Sequence, residues 1–167
     1  MQYMKLDGAS RQQLLSALEA MPRHLEDAFA ALPRGLATLQ GPDGLFSPVE
    51  QVWHLADLER EGFGVRIDRL LHEENPHLPD FDGGAVAAAR NYRILSIAEG
   101  LEEFSAARRE NVRKLREVAD EAWVRSGTQD GVGQVSLCDI PSMISQHDGA
   151  HQDEILRWRE HAAKTVG

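Results

Sequence analysis

His147 and His151 stand four residues apart in MISQHDGAHQDEIL, a stretch from Met143 to Leu156 patterned as an amphipathic helix. Side chains at i and i+4 share a helix face one turn apart, the spacing at which two imidazoles can reach one metal ion. Ile140, Met143, Ile144, Ile155 and Trp158 cluster on one side of this helix, and both histidines fall among them, which points their rings into the core. A lone histidine in such a place is ordinarily satisfied by a carbonyl. Two at this spacing leave a metal site and a buried polar network as the readings.

A divalent site needs a third ligand. Cys138 is the single cysteine, so no disulfide and no thiolate zinc cluster can form within the chain, and a metal would be held by nitrogen and oxygen. Besides carboxylates, His24, His54, His72, His77 and His161 are available. His72 and His77 flank a polar loop and His24 and His161 sit among charges, which makes each of them a solvated side chain. His54, in WHLADLE, lies nearly opposite the apolar stripe of Val49, Trp53, Ala56, Phe63, Ile67 and Leu70, beside Leu58 and Val65. Periodicity alone does not select it. The string HDGAH also approximates the HExxH pattern of metallopeptidases, but Asp148 is shorter than glutamate, Gly149 weakens a motif helix, and little chain follows to supply a downstream ligand.

The elements that must carry these residues are helices, because no sustained alternation of β-branched residues occurs. The sequence predicts an all-α, up-and-down four-helix bundle with one long crossover loop. A first helix runs from near Ser10 to about Leu32, bent at Pro22. The second opens at Ser47-Pro48-Val49-Glu50, a capping box with proline in the first turn, and reaches about Glu73. The polar segment ENPHLPDFDGG then crosses over. Ser96 to Glu99 caps a third helix reaching about Ala119, whose inner stripe of Ile97, Leu101, Phe104, Val112, Leu115 and Val118 also holds Arg108 and Asn111. After a glycine-rich turn, GTQDGVGQ, Ser136 to Asp139 opens the last helix.

The balance of 18 Lys+Arg against 27 Asp+Glu, a formal charge of −9, excludes the basic patches that nucleic acids and anionic membranes require. The first residues lack a secretion signal's design, and no apolar run approaches the roughly 18 residues of a membrane span, so a soluble cytoplasmic protein is expected.

FSPVEQVWHLADLERE, NPHLPDFD, RNYR, the stretch from Phe104 to Leu115, Trp123 with GTQDGVGQVSL, and HDGAH together resemble the DinB-like superfamily of four-helix-bundle proteins over nearly the whole chain. The resemblance implies a single domain, residues 1–167, in which one histidine of the second helix joins an H-x3-H pair of the last. Carried onto this chain, these metal ligands are His54, His147 and His151. It also implies a divalent metal ion, zinc or nickel, a small-molecule substrate, and a homodimer. Three neutral imidazoles leave an open position on the ion. The activities implied are S-transfer with a low-molecular-weight thiol as nucleophile, metal-dependent hydrolysis, or non-catalytic metal or ligand binding, with S-transfer preferred. Arg108 and Asn111, polar on an apolar stripe, are the expected substrate contacts. Asp57 and Glu154 are the expected partners that orient the imidazoles. A buried Arg108–Glu154 ion pair is the plainer alternative, and Glu59 is open to either role. Proton competition for the metal is expected near the ordinary histidine pKa of about 6.5.

Overall fold

The computed structural model describes residues 3–29, 31–33 and 35–167. Helix α1 (Gly8–Phe29) runs on through Pro22, and its predicted extension toward Leu32 crosses residue 30, outside the described residues. The second long helix is three segments in direct succession: α2 (Pro48–Asp57), a π-helical turn (Leu58–Phe63) and α3 (Gly64–His72). The short α4 (Gly83–Arg90) follows the crossover, then α5 (Ile97–Arg116) and α6 (Ile140–Val166). This is the four-helix architecture expected from periodicity.

The helix starts are set by local chemistry. Glu50 accepts from both the backbone N–H (3.2 Å) and the hydroxyl (2.8 Å) of Ser47, and Ser96 Oγ accepts from the Glu99 amide at 3.3 Å. Asp139 receives the amide (2.9 Å) and hydroxyl (2.8 Å) of Ser136 at the start of α6. Each bond satisfies a group that an uncapped helix end would leave without a partner. Pro141 falls in the first turn of α6, where no intrahelical donor is lost.

α5 packs chiefly against α1 and α2, and α1 against α5 and α6. The fourth side, where α2 faces α6, carries the histidines. Two apolar clusters fill the interior, one around Leu15, Ile67, Val112 and Ile144, the other around Leu25, Val52, Phe104 and Trp158. Cys138 is buried in the first and accepts a hydrogen bond from the Met4 amide.

A small sheet was not foreseen. In the crossover, β1 (His77–Leu78) pairs in parallel with β2 (Ser126–Gln129), which pairs antiparallel with β3 (Gly133–Ser136). The predicted glycine-rich turn is therefore a hairpin that clamps the crossover to the start of α6. Gly127 permits it, since a Cβ there would meet the Pro76 carbonyl oxygen at 2.4 Å. No helix among the described residues is long and apolar enough to cross a membrane.

Candidate metal centre

α2 delivers His54, and α6 delivers His147 and His151, to one place: a ring nitrogen of each lies within 4.8 Å of the other two. The Nε2 atoms of His147 and His151 are 3.1 Å apart. Two imidazole nitrogens sharing a tetrahedral ion at about 2.0–2.1 Å sit about 3.3 Å apart, so this pair already stands near ligand separation. The His54 ring centroid is 5.6 Å from that of His147 and 5.0 Å from that of His151.

The hydrogen bonding of His151 sets its tautomer. Nδ1 is bonded to Oε1 of Gln51, an oxygen that only accepts, so Nδ1 carries the proton and Nε2 presents its lone pair. Gln51 is 1% exposed, and its amide nitrogen donates to Glu154 Oε2 at 2.7 Å. Glu154 thus holds Gln51, and Gln51 holds the imidazole; the carboxylate itself stands 3.4 Å from Nδ1. Gln51 carried no periodic or compositional signal that would have marked it. His54 is held by shape. Phe46 and Phe81 flank its ring, and Gly83 lies so close that a Cβ there would be 2.6 Å from Cε1.

Burial, aided by His147, lowers the pKa of His54 to about 4; burial with Arg108 and Arg66 lowers His147 to about 4; and burial with His147 and His54 lowers His151 to about 3. All three rings are neutral at physiological pH. His54 Nδ1 is buried without a hydrogen-bond partner among the described residues. Three uncharged imidazoles facing one another and an orphaned ring nitrogen form a donor set that suits a divalent ion of borderline softness.

The π-turn changes how the second half of this helix stands relative to His54, which a helical wheel does not register. The Gly64 amide bonds to the Glu59 carbonyl five residues back, which inserts one residue and turns the following helix back by about 100° relative to an α-helix. His54 and Arg66, about 120° apart on an ideal helix, are brought to within roughly 20° of each other.

This turn is pinned by Asn111, whose Nδ2 donates to the Glu59 carbonyl (2.9 Å) and to Glu59 Oε1 (3.0 Å). Arg108, 1% exposed, bonds Glu59 through Nη2 (3.0 Å), Asp148 through Nη1 (2.7 Å) and Nη2 (2.8 Å), and the Leu18 carbonyl (2.9 Å). Burial opposes its charge, but the two carboxylates prevail and its pKa rises, while burial raises that of Asp148. The placement of Arg108 and Asn111 does not match the substrate contacts expected of them: both are buried and engaged, fixing the helix segments on which the histidines stand. The Arg108–Glu154 alternative is replaced by pairing with Glu59 and Asp148, because Glu154 points to Gln51. The Asp57 carboxylate bonds Tyr92 Oη at 2.6 Å, Arg60 and Arg90 rather than an imidazole.

Beside the histidines lies a cavity of about 470 Å³ lined by His54, Leu58, Phe63, Arg66, Phe81, Met143, Gln146 and His147. His24, His72 and His77 are exposed, His77 pairing with Asp130 at 2.9 Å, and His161 is half-buried at the far end of α6.

A family model described as DinB superfamily matches residues 17–155. The chain belongs to the DinB superfamily. This DinB chain is similar in structure to YfiT from Bacillus subtilis, with a TM-score of 0.84 and 18% sequence identity, over 96% of this chain and 90% of that one. YfiT is described as a probable metal-dependent hydrolase with an unusual four-helix bundle topology. At that identity the likeness establishes the fold alone. Among curated proteins none matches this DinB chain.

Proposed function

We propose that the protein is a divalent-metal-dependent S-transferase of the cytoplasm that uses an external low-molecular-weight thiol as nucleophile, with His54, His147 and His151 as the metal ligands. The observation that carries the reading is the cavity itself: one wall is two of the neutral imidazoles, and the rest is apolar side chains with Arg66 and Gln146. A divalent ion at these nitrogens supplies a positive centre that lowers the pKa of a thiol entering from the cavity. Leu58, Phe63, Phe81 and Met143 hold apolar surface against the reacting carbon and keep water from it. The thiol's sulfur forms a bond to that carbon, the leaving group departs with its electron pair, and the thiol proton goes to solvent. Gln51 keeps the His151 lone pair aimed throughout. Cys138, buried away from the cavity lining, leaves the nucleophile to come from outside.

Hydrolysis is the second reading, favoured by the description of YfiT. It prefers a base or acid beside the water, and no carboxylate is among the residues lining this cavity. The test is an assay of zinc- and nickel-loaded protein with electrophiles and several small thiols, His151→Ala serving as control. Metal-dependent thiol consumption is expected. Turnover of esters or amides without thiol would replace this reading by hydrolysis, and metal binding with neither would leave a binding bundle.

A further inference from the structure

Among the described residues two guanidinium groups are buried, and they are treated in different ways. Arg108 has both terminal nitrogens engaged, by two carboxylates and a carbonyl. Arg66, 4% exposed, makes one hydrogen bond among the described residues, from Nε to the Pro79 carbonyl at 3.3 Å, and no ion pair. Its guanidinium carbon stands 5.5 Å over the Phe63 ring. Nε and the flat face are therefore held, while the two terminal nitrogens have no partner among the described residues at the wall of the cavity that His54 and His147 share. Burial lowers the Arg66 pKa, with only Asp80 opposing.

An unpaired buried charge is costly and persists where something outside the chain completes it. A guanidinium fixed at Nε and stacked on an aromatic ring offers its remaining donors as a fork, the geometry that matches a carboxylate with two parallel hydrogen bonds. The π-turn is what places this fork on the same face as His54. We propose that Arg66 anchors the carboxylate of the small molecule this cavity takes, making the ligands small organic acids whose reacting end reaches the three histidines. The inference rests on the reading of the cavity as a substrate site and names the class of that substrate. Leu58, Phe63, Phe81 and Met143 would cover the carbon chain between the two ends.

Calorimetric titrations separate this from the identity of the reaction. Metal-free wild type is titrated with propionate and with propionamide, of the same shape without the charge, and zinc-loaded protein with 3-mercaptopropionate and with 2-mercaptoethanol. Arg66→Gln and Arg66→Lys are run alongside. Wild type is expected to prefer each acid by about tenfold or more, as two charge-assisted hydrogen bonds allow. Arg66→Gln should abolish the preference, and Arg66→Lys, a point charge without the fork, should keep only part of it. A preference in both pairs places the carboxylate on the thiol as well as on simple acids, and one confined to propionate places it on the electrophile. If zinc or the thiols fail to bind while metal-free protein still prefers propionate, S-transfer falls and the anchor stands. Wild type indifferent between propionate and propionamide overturns the anchor, as does an undiminished preference in folded Arg66→Gln. Should Arg66→Gln not fold, the wild-type comparison and Arg66→Lys decide.

Discussion

The amide of Asn111 fills the space that a side chain on Gly64 would need: a Cβ there would lie 3.2 Å from Asn111 Oδ1 and 3.0 Å from the Glu59 carbonyl oxygen. The missing Cβ and the inserted amide are two halves of one device, the π-turn that sets α3 relative to the helix carrying His54. Asn111→Ala removes the donor from a buried carbonyl and a buried carboxylate, which should cost about 2–3 kcal/mol and lower Tm by about 5–10 °C. Because the turn then loses its pin, metal affinity should fall too, although Asn111 is no ligand. Thermal melts and metal titration of the same sample check both; an unchanged affinity would show that the turn holds without it.

Arg108 should be far less replaceable than an exposed arginine. Arg108→Met leaves Glu59 and Asp148 buried without their cation, at a cost of about 3–5 kcal/mol. Adding Glu59→Gln and Asp148→Asn to that variant should recover part of the loss, as measured by urea unfolding. No recovery would mean that packing, rather than charge, is what Arg108 supplies.

One divalent ion per chain is expected, and His54→Ala, His147→Ala or His151→Ala should each remove most of the affinity, whereas His24→Ala and His77→Ala should not. Gln51→Leu removes the acceptor that fixes His151 and should weaken binding by about 10–100-fold. Elemental analysis and competition titration against a chelator measure all of these, and equal binding by the three site variants would end the assignment.

Stability and affinity should respond to pH in a window set by burial. The folded values of about 4, about 4 and about 3 for His54, His147 and His151 lie below the unfolded value of about 6.5. Between these limits the unfolded chain binds the extra protons, so stability of the metal-free protein rises with pH. It is lost as pH falls from about 6.5 toward the folded values, at about 1.4 kcal/mol per unit of depression in each ring. Metal affinity should accordingly hold down to about pH 5, below where ordinary histidines would fail. Melts from pH 8 to pH 4 without metal, and titrations with it, test this; a loss of affinity centred near 6.5 would mean that the rings are solvated.

The His147–His151 pair was readable from the sequence because both ligands stand on one regular helix, where four-residue spacing fixes their relation. His54 was not, except through family resemblance, because a helical wheel assumes an even turn and the π-turn shifts Phe63, Ile67 and Leu70, half of the stripe used to orient it, by about 100°. Arg108 and Asn111 were visible as polar residues on an apolar stripe, yet a wheel reports which face a residue occupies and not what meets it there: Glu59 and Asp148 arrive from two other helices. Gln51 and the hairpin left no trace for similar reasons. One is a single amide with no periodic mark, and the other has strands of only four residues, completed by a two-residue strand whose pairing joins His77 to Thr128 across the chain.

Pro79 and Phe81 belong to the segment between β1 and α4, while the imidazoles, Arg66 and the Arg108 cluster belong to the long helices. One short loop therefore walls the cavity, flanks His54 and holds Arg66 at once. A change of length or composition there alters which molecules are admitted and, with it, the seating of a ligand and of the guanidinium, so selection must retune admission and reactivity together.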